Sequence, residues 1–391
     1  MLTRDNSYQL ALTIGLLLAA VVNNATHARN DSGSYRIPTI IQALWGLILA
    51  AGLIYLPETP RYFVKRGQQD KAAHSLSRIR RLPADSRSIQ EELAEIVANH
   101  EYELGLGKSG WLDVFQNAGR QRRRLLTGCA VMAGSQLTGI NFIFYYGTQF
   151  FKNSGIENPF LIGLTTNLVN VVSTIPGLVL VERWGRRPIL LFGAIGMTVC
   201  EFIVAIVGVT SGSEISSKVL IAFTCFYIFF FAISWGPVGW VVVVSFKSSS
   251  LVTLQSANTS LQGENFSLRF RAKSVACSIA SNWIFNWAIG YATPYLVDEA
   301  PGAAGLKAKV FFIWGTCCLG CAIFVYFCIF ETKGLTLEQV DEMYEHVPHA
   351  WQSSTFKPTV RFEEVRRQSI AAEDACKQSI AHVESVYAEK V

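Results

Sequence analysis

Charge is scarce in this chain. Asp, Glu, Lys and Arg make up 16% of its 391 residues against 50% hydrophobic residues, and the 25 Phe and nine Trp exceed what one soluble core of this length needs. Signatures of chemistry are scarce too. There is no Gly-rich phosphate loop, no zinc motif and no nucleophile elbow, so the sequence gives no ground for an enzyme. Nine cysteines form no disulfide framework: Cys317, Cys318 and Cys321 share one apolar stretch, where a free thiol behaves as a small hydrophobe. His346 and His349 flank Pro348 and do not pair as ligands one helical turn apart, so no metal and no cofactor is expected. A cleavable leader is not expected either, since Met1 to Ser7 is polar and no clear cleavage site follows the first apolar stretch.

What is abundant is long apolar sequence. Windows near the roughly 20 residues that cross a bilayer fall at 8–26, 36–57, 125–149, 159–181, 188–210, 218–243, 272–296 and 308–330. They predict an all-α integral membrane protein with eight spans, several interrupted by Gly, Pro, Asn or Thr as helices that pack together or line a cavity are. The stretch 58–124 holds a dense set of Arg and Lys, and Arg183, Arg186 and Arg187 crowd 182–187, so both face the cytoplasm and both termini lie inside. The net charge of +5 is therefore an orientation signal, not a nucleic-acid site.

One span carries chemistry. Between Gly134 and Tyr146, Gln136, Asn141 and Tyr145 are five and four residues apart, which on one continuous helix places them roughly on one face. Neutral amides in hydrocarbon need partners, and a row of them without charge suits an uncharged, hydroxyl-rich solute such as a sugar.

The cytoplasmic segment has helical composition over Asp70–Arg81 and Ser88–Leu104, predicting short amphipathic helices under the membrane domain. It opens on Pro57-Glu58-Thr59-Pro60-Arg61. Further motifs are the Gln136–Tyr146 run, Glu182–Arg187, Gly236–Trp240, Arg269–Ser274 and Glu331–Gly334. With these six in order, the chain resembles sugar porters of the major facilitator superfamily, most of all fungal monosaccharide transporters, over about Tyr8 to Tyr344.

That resemblance implies the superfamily fold, with the eight spans standing for helices five to twelve of twelve. Residues 1–57 would be the last two helices of the N-terminal half, 58–124 a cytoplasmic helical linker, 125–330 the C-terminal six-helix half and 331–391 a largely disordered tail. It implies a midplane site in which Gln9, Gln136, Asn141, Tyr145, Asn170, Trp240, Asn282 and Asn286 bind a monosaccharide, with amides matching vicinal hydroxyls and the indole facing the sugar's C–H side. Sugar porters usually carry a Gln pair where this chain has Ser135-Gln136, which leaves substrate preference open. It also implies a cytoplasmic layer of ion pairs drawn from Glu58, Arg61, Glu182, Arg186, Arg187, Glu264, Arg269, Arg271 and Glu331, formed in one state and separated in the other. Glu201, inside a span but off the sugar row, is expected to serve helix packing.

Two places depart from the family pattern. Only two spans precede the cytoplasmic segment, so the expectation is an N-terminally truncated product, inactive by itself. The second is 244–262, nineteen Ser-rich residues that split an otherwise familiar helix exit. Val244-Ser245 can be encoded by a 5′ splice consensus and Gln262 by CAG, so a translated intron is expected; a polar loop is the alternative. The functional expectation is transport of a hexose such as glucose across the plasma membrane by alternating access, with a non-transporting sugar sensor as the alternative. The expected partners are the sugar and the lipid bilayer, with proton coupling left open.

Overall fold

Helices dominate because a backbone in hydrocarbon has to satisfy its own polar groups. The computed structural model describes residues 7–105, 110–115, 120–153, 158–210, 214–244, 270–297, 303–333, 335 and 337–356, among which no strand occurs. The helices are α1 (Ser7–Thr26), α2 (Gly33–Tyr55), α3 (Pro60–Lys65), α4 (Gln69–Arg80), α5 (Arg87–Gly105), α6 (Gln121–Leu137), α7 (Ile140–Asn153) and α8 (Pro159–Trp184). They continue as α9 (Arg186–Thr210), α10 (Glu214–Ile233), α11 (Trp235–Val244), α12 (Arg271–Val297), α13 (Val310–Cys328) and α14 (Leu337–His346). Residues 245–262 of the expected insertion and the tail beyond Phe356 lie outside the described residues.

Six stretches among the described residues are long and apolar enough by themselves to cross a membrane: Gln9–Thr26, Gly33–Tyr55, Pro159–Val181, Arg186–Thr210, Ile215–Trp240 and Lys307–Cys328. The other two expected spans fall short for different reasons. The window 125–149 is divided between α6 and α7, and α12 carries Ser, Asn and Trp where an apolar span would carry aliphatic residues. So the reading of 125–149 as one continuous helix is corrected. The chain breaks at Thr138 and Gly139, with Gly139 at φ +80°, a conformation that favours glycine; a Cβ there would also lie 2.6 Å from the Trp314 ring. A second interruption, at Ser234, separates α10 from α11, whose Pro237 has no N–H to give the preceding turn.

The core lies among the helices from α6 onward. α9 packs against α10 and α13, α12 packs against α6, and α8 against α1 and α10. Ile189, Leu190, Ala194 and Met197 of α9 are fully buried, and Phe142, Phe150 and Phe311 meet edge to face, a favoured aromatic geometry. α2 buries no residue within the described chain. Away from the spans, α3, α4 and α5 form their own small core of Val64, Ala72, Leu76, Ile89, Leu93 and Ile96, closed by a two-pronged Arg80–Glu92 pair at 3.0 and 2.8 Å. α14 and the following turn bury Val340, Met343, Tyr344, Val347 and Ala350 against Phe330. For an apolar side chain that water would otherwise reach, such burial is worth about 1.5–3 kcal/mol.

Candidate functional site

The break between α6 and α7 determines how the polar residues meet. Gln136 ends one helix while Asn141 and Tyr145 belong to the next, so they converge across a bend. The Asn141 Nδ2 donates to Gln136 Oε1. The same oxygen accepts Asn286 Nδ2 at 3.4 Å, and Gln136 Nε2 donates to Asn282 Oδ1 at 2.8 Å. Tyr145 Oη lies 3.4 Å from both polar side-chain atoms of Asn286. Five of the eight expected sugar-site residues thus form one hydrogen-bonded patch between α6, α7 and α12. It contains no charged group.

Helix α12 is held in register by bonds on either side of this patch. Gln121 Nε2 donates to Ser274 Oγ at 2.8 Å, Ser281 Oγ to the Cys129 carbonyl at 3.2 Å, and Tyr146 Oη to the Gly290 carbonyl at 3.0 Å. Those ties escaped the sequence reading. Their only signal is a scatter of small polar residues in apolar helices. The remaining three residues stand on neighbouring helices: Gln9 on α1 lies 3.1 Å from where a Gly236 side chain would begin, Asn170 is buried on α8, and Trp240 packs partly buried on α11. Asn170 Oδ1 has no hydrogen-bond partner. The patch is open on one side, with Tyr145 53% exposed and Trp287 and Tyr291 of α12 exposed as well.

A second polar layer lies where α13 ends. Glu331 accepts the backbone N–H groups of Arg186 and Arg187, each at 3.1 Å, so its carboxylate caps the N-terminus of α9, where unpaired amides and the helix dipole favour an anion. Gly185 permits the approach: it has φ +99°, and a Cβ there would meet the Glu331 carboxylate at 2.5 Å. Arg187 donates to the Tyr326 carbonyl at 3.0 Å, and Lys333 Nζ to the Arg183 carbonyl. Arg120 and Arg123 reach the carbonyls of Val347 and Pro348 at the end of the α14 segment, at 3.1 and 3.2 Å. Arg124 lies over the Tyr344 ring at 4.3 Å, and burial pushes that phenol up to about 12.

Of the expected gating set, then, the described contacts of Glu331 are to backbone amides. Glu58 and Arg61 sit with the α3–α5 cluster, where the Glu58 carboxylate accepts the Thr59 N–H at 2.9 Å. Glu264 and Arg269 lie outside the described residues, as do the side chains of Glu182 and Arg271. No group of His, Cys, Asp or Glu that could hold a metal occurs among the described residues.

Comparison with known proteins matches residues 5–254 and 251–344 to the family described as sugar (and other) transporter. The two matched stretches meet inside 244–262. The major facilitator-type transporter ecdD of Aspergillus rugulosus is 52% identical over 90% of this chain and 63% of its own length. A probable glucose transporter of Neurospora crassa, rco-3, is 46% identical over 92% of this chain and 59% of its own. A high glucose sensor of Saccharomyces cerevisiae is 42% identical over 91% and 45%. The chain therefore spans less than two thirds of these relatives. Among solved structures, the fold is similar to the proton:xylose symporter XylE bound to 6-bromo-6-deoxy-D-glucose, with TM-score 0.61 and 24% identity over 87% of this chain and 66% of that one. It is also similar to an inward-open form of XylE from E. coli, with TM-score 0.63 and 23% identity over 86% and 64%. The six apolar helical stretches, the all-helical fold and the family match together make this chain a multi-pass membrane protein that belongs to the sugar transporter family of the major facilitator superfamily.

Proposed function

We propose that the chain carries the monosaccharide-binding half of a plasma-membrane hexose carrier, with Gln136, Asn141, Tyr145, Asn282 and Asn286 as its central sugar contacts. The observation that carries this reading is the uncharged hydrogen-bonded patch at the α6–α7 break. Groups that donate and accept at once exchange partners readily with vicinal hydroxyls. Gln9, Asn170 and Trp240 extend the site onto α1, α8 and α11. With no carboxylate in the patch, the reading favours facilitated diffusion, and a collapse of accumulation on adding a protonophore would overturn that.

The patch is open on one side, so enclosing a sugar takes more wall than the described helices supply. The 391-residue chain alone is accordingly expected to give no uptake of labelled glucose in cells lacking their own hexose carriers, whereas a version extended to its relatives' length and without 244–262 restores it. Uptake by the 391-residue chain alone would refute this, and sequencing of cDNA across Val243 and Gly263 tests the intron reading. A sensor is the second reading, favoured by the 42% identity to a high glucose sensor. It predicts sugar-dependent signalling by the extended chain with no uptake.

A further inference from the structure

The sugar-site reading leaves one buried carboxyl group unused. Glu201, in the middle of α9, is 1% exposed; the Cys318 thiol faces its carboxyl, and neither oxygen has a close hydrogen-bond partner. Its neighbours are uncharged: Tyr227 of α10, Cys317, Cys318 and Cys321 of α13, and Cys200 on its own helix. Two of them converge on one distant atom. Tyr227 Oη donates to the Thr138 carbonyl at 2.8 Å, and the Cys318 thiol points at the same oxygen from 3.9 Å.

That carbonyl is the one the break sets free. In an unbroken helix it would accept the N–H of Phe142, which instead goes to the Gly139 carbonyl at 3.0 Å. Thr138 is fully buried, and a polar group left unpaired in such surroundings is costly, so the Tyr227 hydroxyl takes the place of the lost helix bond. A movement of α7 that carries Thr138 with it parts these two atoms. The hydroxyl then needs another acceptor, and the Glu201 carboxyl is the acidic group among its neighbours.

We propose that Glu201 is a positioning residue that serves as the second acceptor for Tyr227 when the α6–α7 break opens, so that the sugar-binding amides on either side of the break can change their spacing without stranding a donor. The proposal rests on the reading of Gln136 and Asn141 as sugar contacts. It also explains why a carboxyl sits among thiols and a phenol where an aliphatic side chain would pack as well.

The test is the sign of an effect, since a packing role and an acceptor role predict opposite signs. Amide hydrogen exchange is followed over residues 134–142 of the 391-residue chain in detergent micelles. Tyr227→Phe removes the bond that closes the break and is expected to speed exchange about tenfold, the scale of one buried hydrogen bond. Glu201→Leu removes the acceptor needed for opening and is expected to slow it about tenfold; Glu201→Gln, which keeps an acceptor, matches the unchanged chain. Faster or unaltered exchange in Glu201→Leu overturns the proposal, as does unaltered exchange in Tyr227→Phe. Glu201→Met carries the same test where the leucine variant does not fold. Glucose titrations of tryptophan fluorescence on the same substitutions, made in a chain extended to its relatives' length and without 244–262, separate the two readings. Unchanged affinity in Glu201→Leu supports the proposal, and a weakening restored by neither Gln nor Met overturns it. If the exchange signs hold but the extended chain itself does not respond to glucose, the sugar-site reading falls and the acceptor role stands.

Discussion

The amide patch around Gln136 and the charged layer around Glu331 both sit beside an interruption in the helices, one at Gly139 and the other at Gly185, yet they satisfy their polar groups in different ways. In the patch, side chains bond to side chains, all neutral. In the layer, a carboxylate bonds to the first amides of α9, and arginines bond to carbonyls near the end of α14. A side-chain network can rearrange around a solute while the helices stay where they are. A carboxylate bound to a helix end is released only when that helix end moves. The first arrangement suits recognition, and the second suits holding one conformation.

The largest expected effect would break the patch. In the extended carrier, Gln136→Ala or Asn141→Ala should each weaken sugar uptake by about 1–3 kcal/mol, roughly five- to 150-fold, with surface expression retained. Uptake kinetics unchanged in both variants would remove the patch from the sugar site. Next comes the bend that joins its two halves. Gly139→Ala forces a side chain into positive φ and against Trp314, a strain of roughly 1–3 kcal/mol before the clash is counted, so a lower melting temperature and weaker sugar binding should appear together. A variant as stable as the unchanged chain would show that the bend does not depend on glycine.

The charged layer should respond differently. Glu331→Gln keeps the shape of the cap and removes its charge, a loss of about 0.3–1 kcal/mol at a helix end. Exchange of the first α9 amides should rise a few-fold with sugar affinity unaltered; an altered affinity would mean that the two layers are not separable. The smallest effect is expected from Arg123→Ala. It loses a carbonyl contact at 3.2 Å and a cation over the Phe330 ring at 4.8 Å, yet the side chain is only half-buried and the carbonyl contact lies at the surface, so the melting temperature should fall by an amount equivalent to under about 1 kcal/mol. A larger fall would mean that Arg123 anchors the α14 segment.

Hydropathy made the spans legible because apolar length is a local property. The two that do not stand out by apolar length alone differ for local reasons: Thr138-Gly139 splits 125–149, and Ser and Asn dilute α12. The sugar candidates were legible as residue types, since Gln and Asn are conspicuous among Phe and Ile. Their geometry was not. Placing Gln136, Asn141 and Tyr145 on one face assumed a continuous helix, whereas they meet across a bend whose φ the sequence marks only by a glycine. Asn282 and Asn286 lie about 140 residues away in sequence, a separation over which no periodicity speaks. Glu331 is harder still, because its described partners are backbone amides, which carry no sequence signal.

The amides of the patch bond to one another, and this makes the protein a competitor of its own ligand. Every hydroxyl that enters displaces a bond such as Gln136 to Asn282, so the gain per contact is a difference between two similar hydrogen bonds. A site built this way gives up tight holding. What it gains is a short residence time, because the departing sugar leaves behind groups that pair at once and no vacancy to be paid for in desolvation. For a carrier, whose turnover includes release on the far side, a pocket that heals itself is worth more than one that grips.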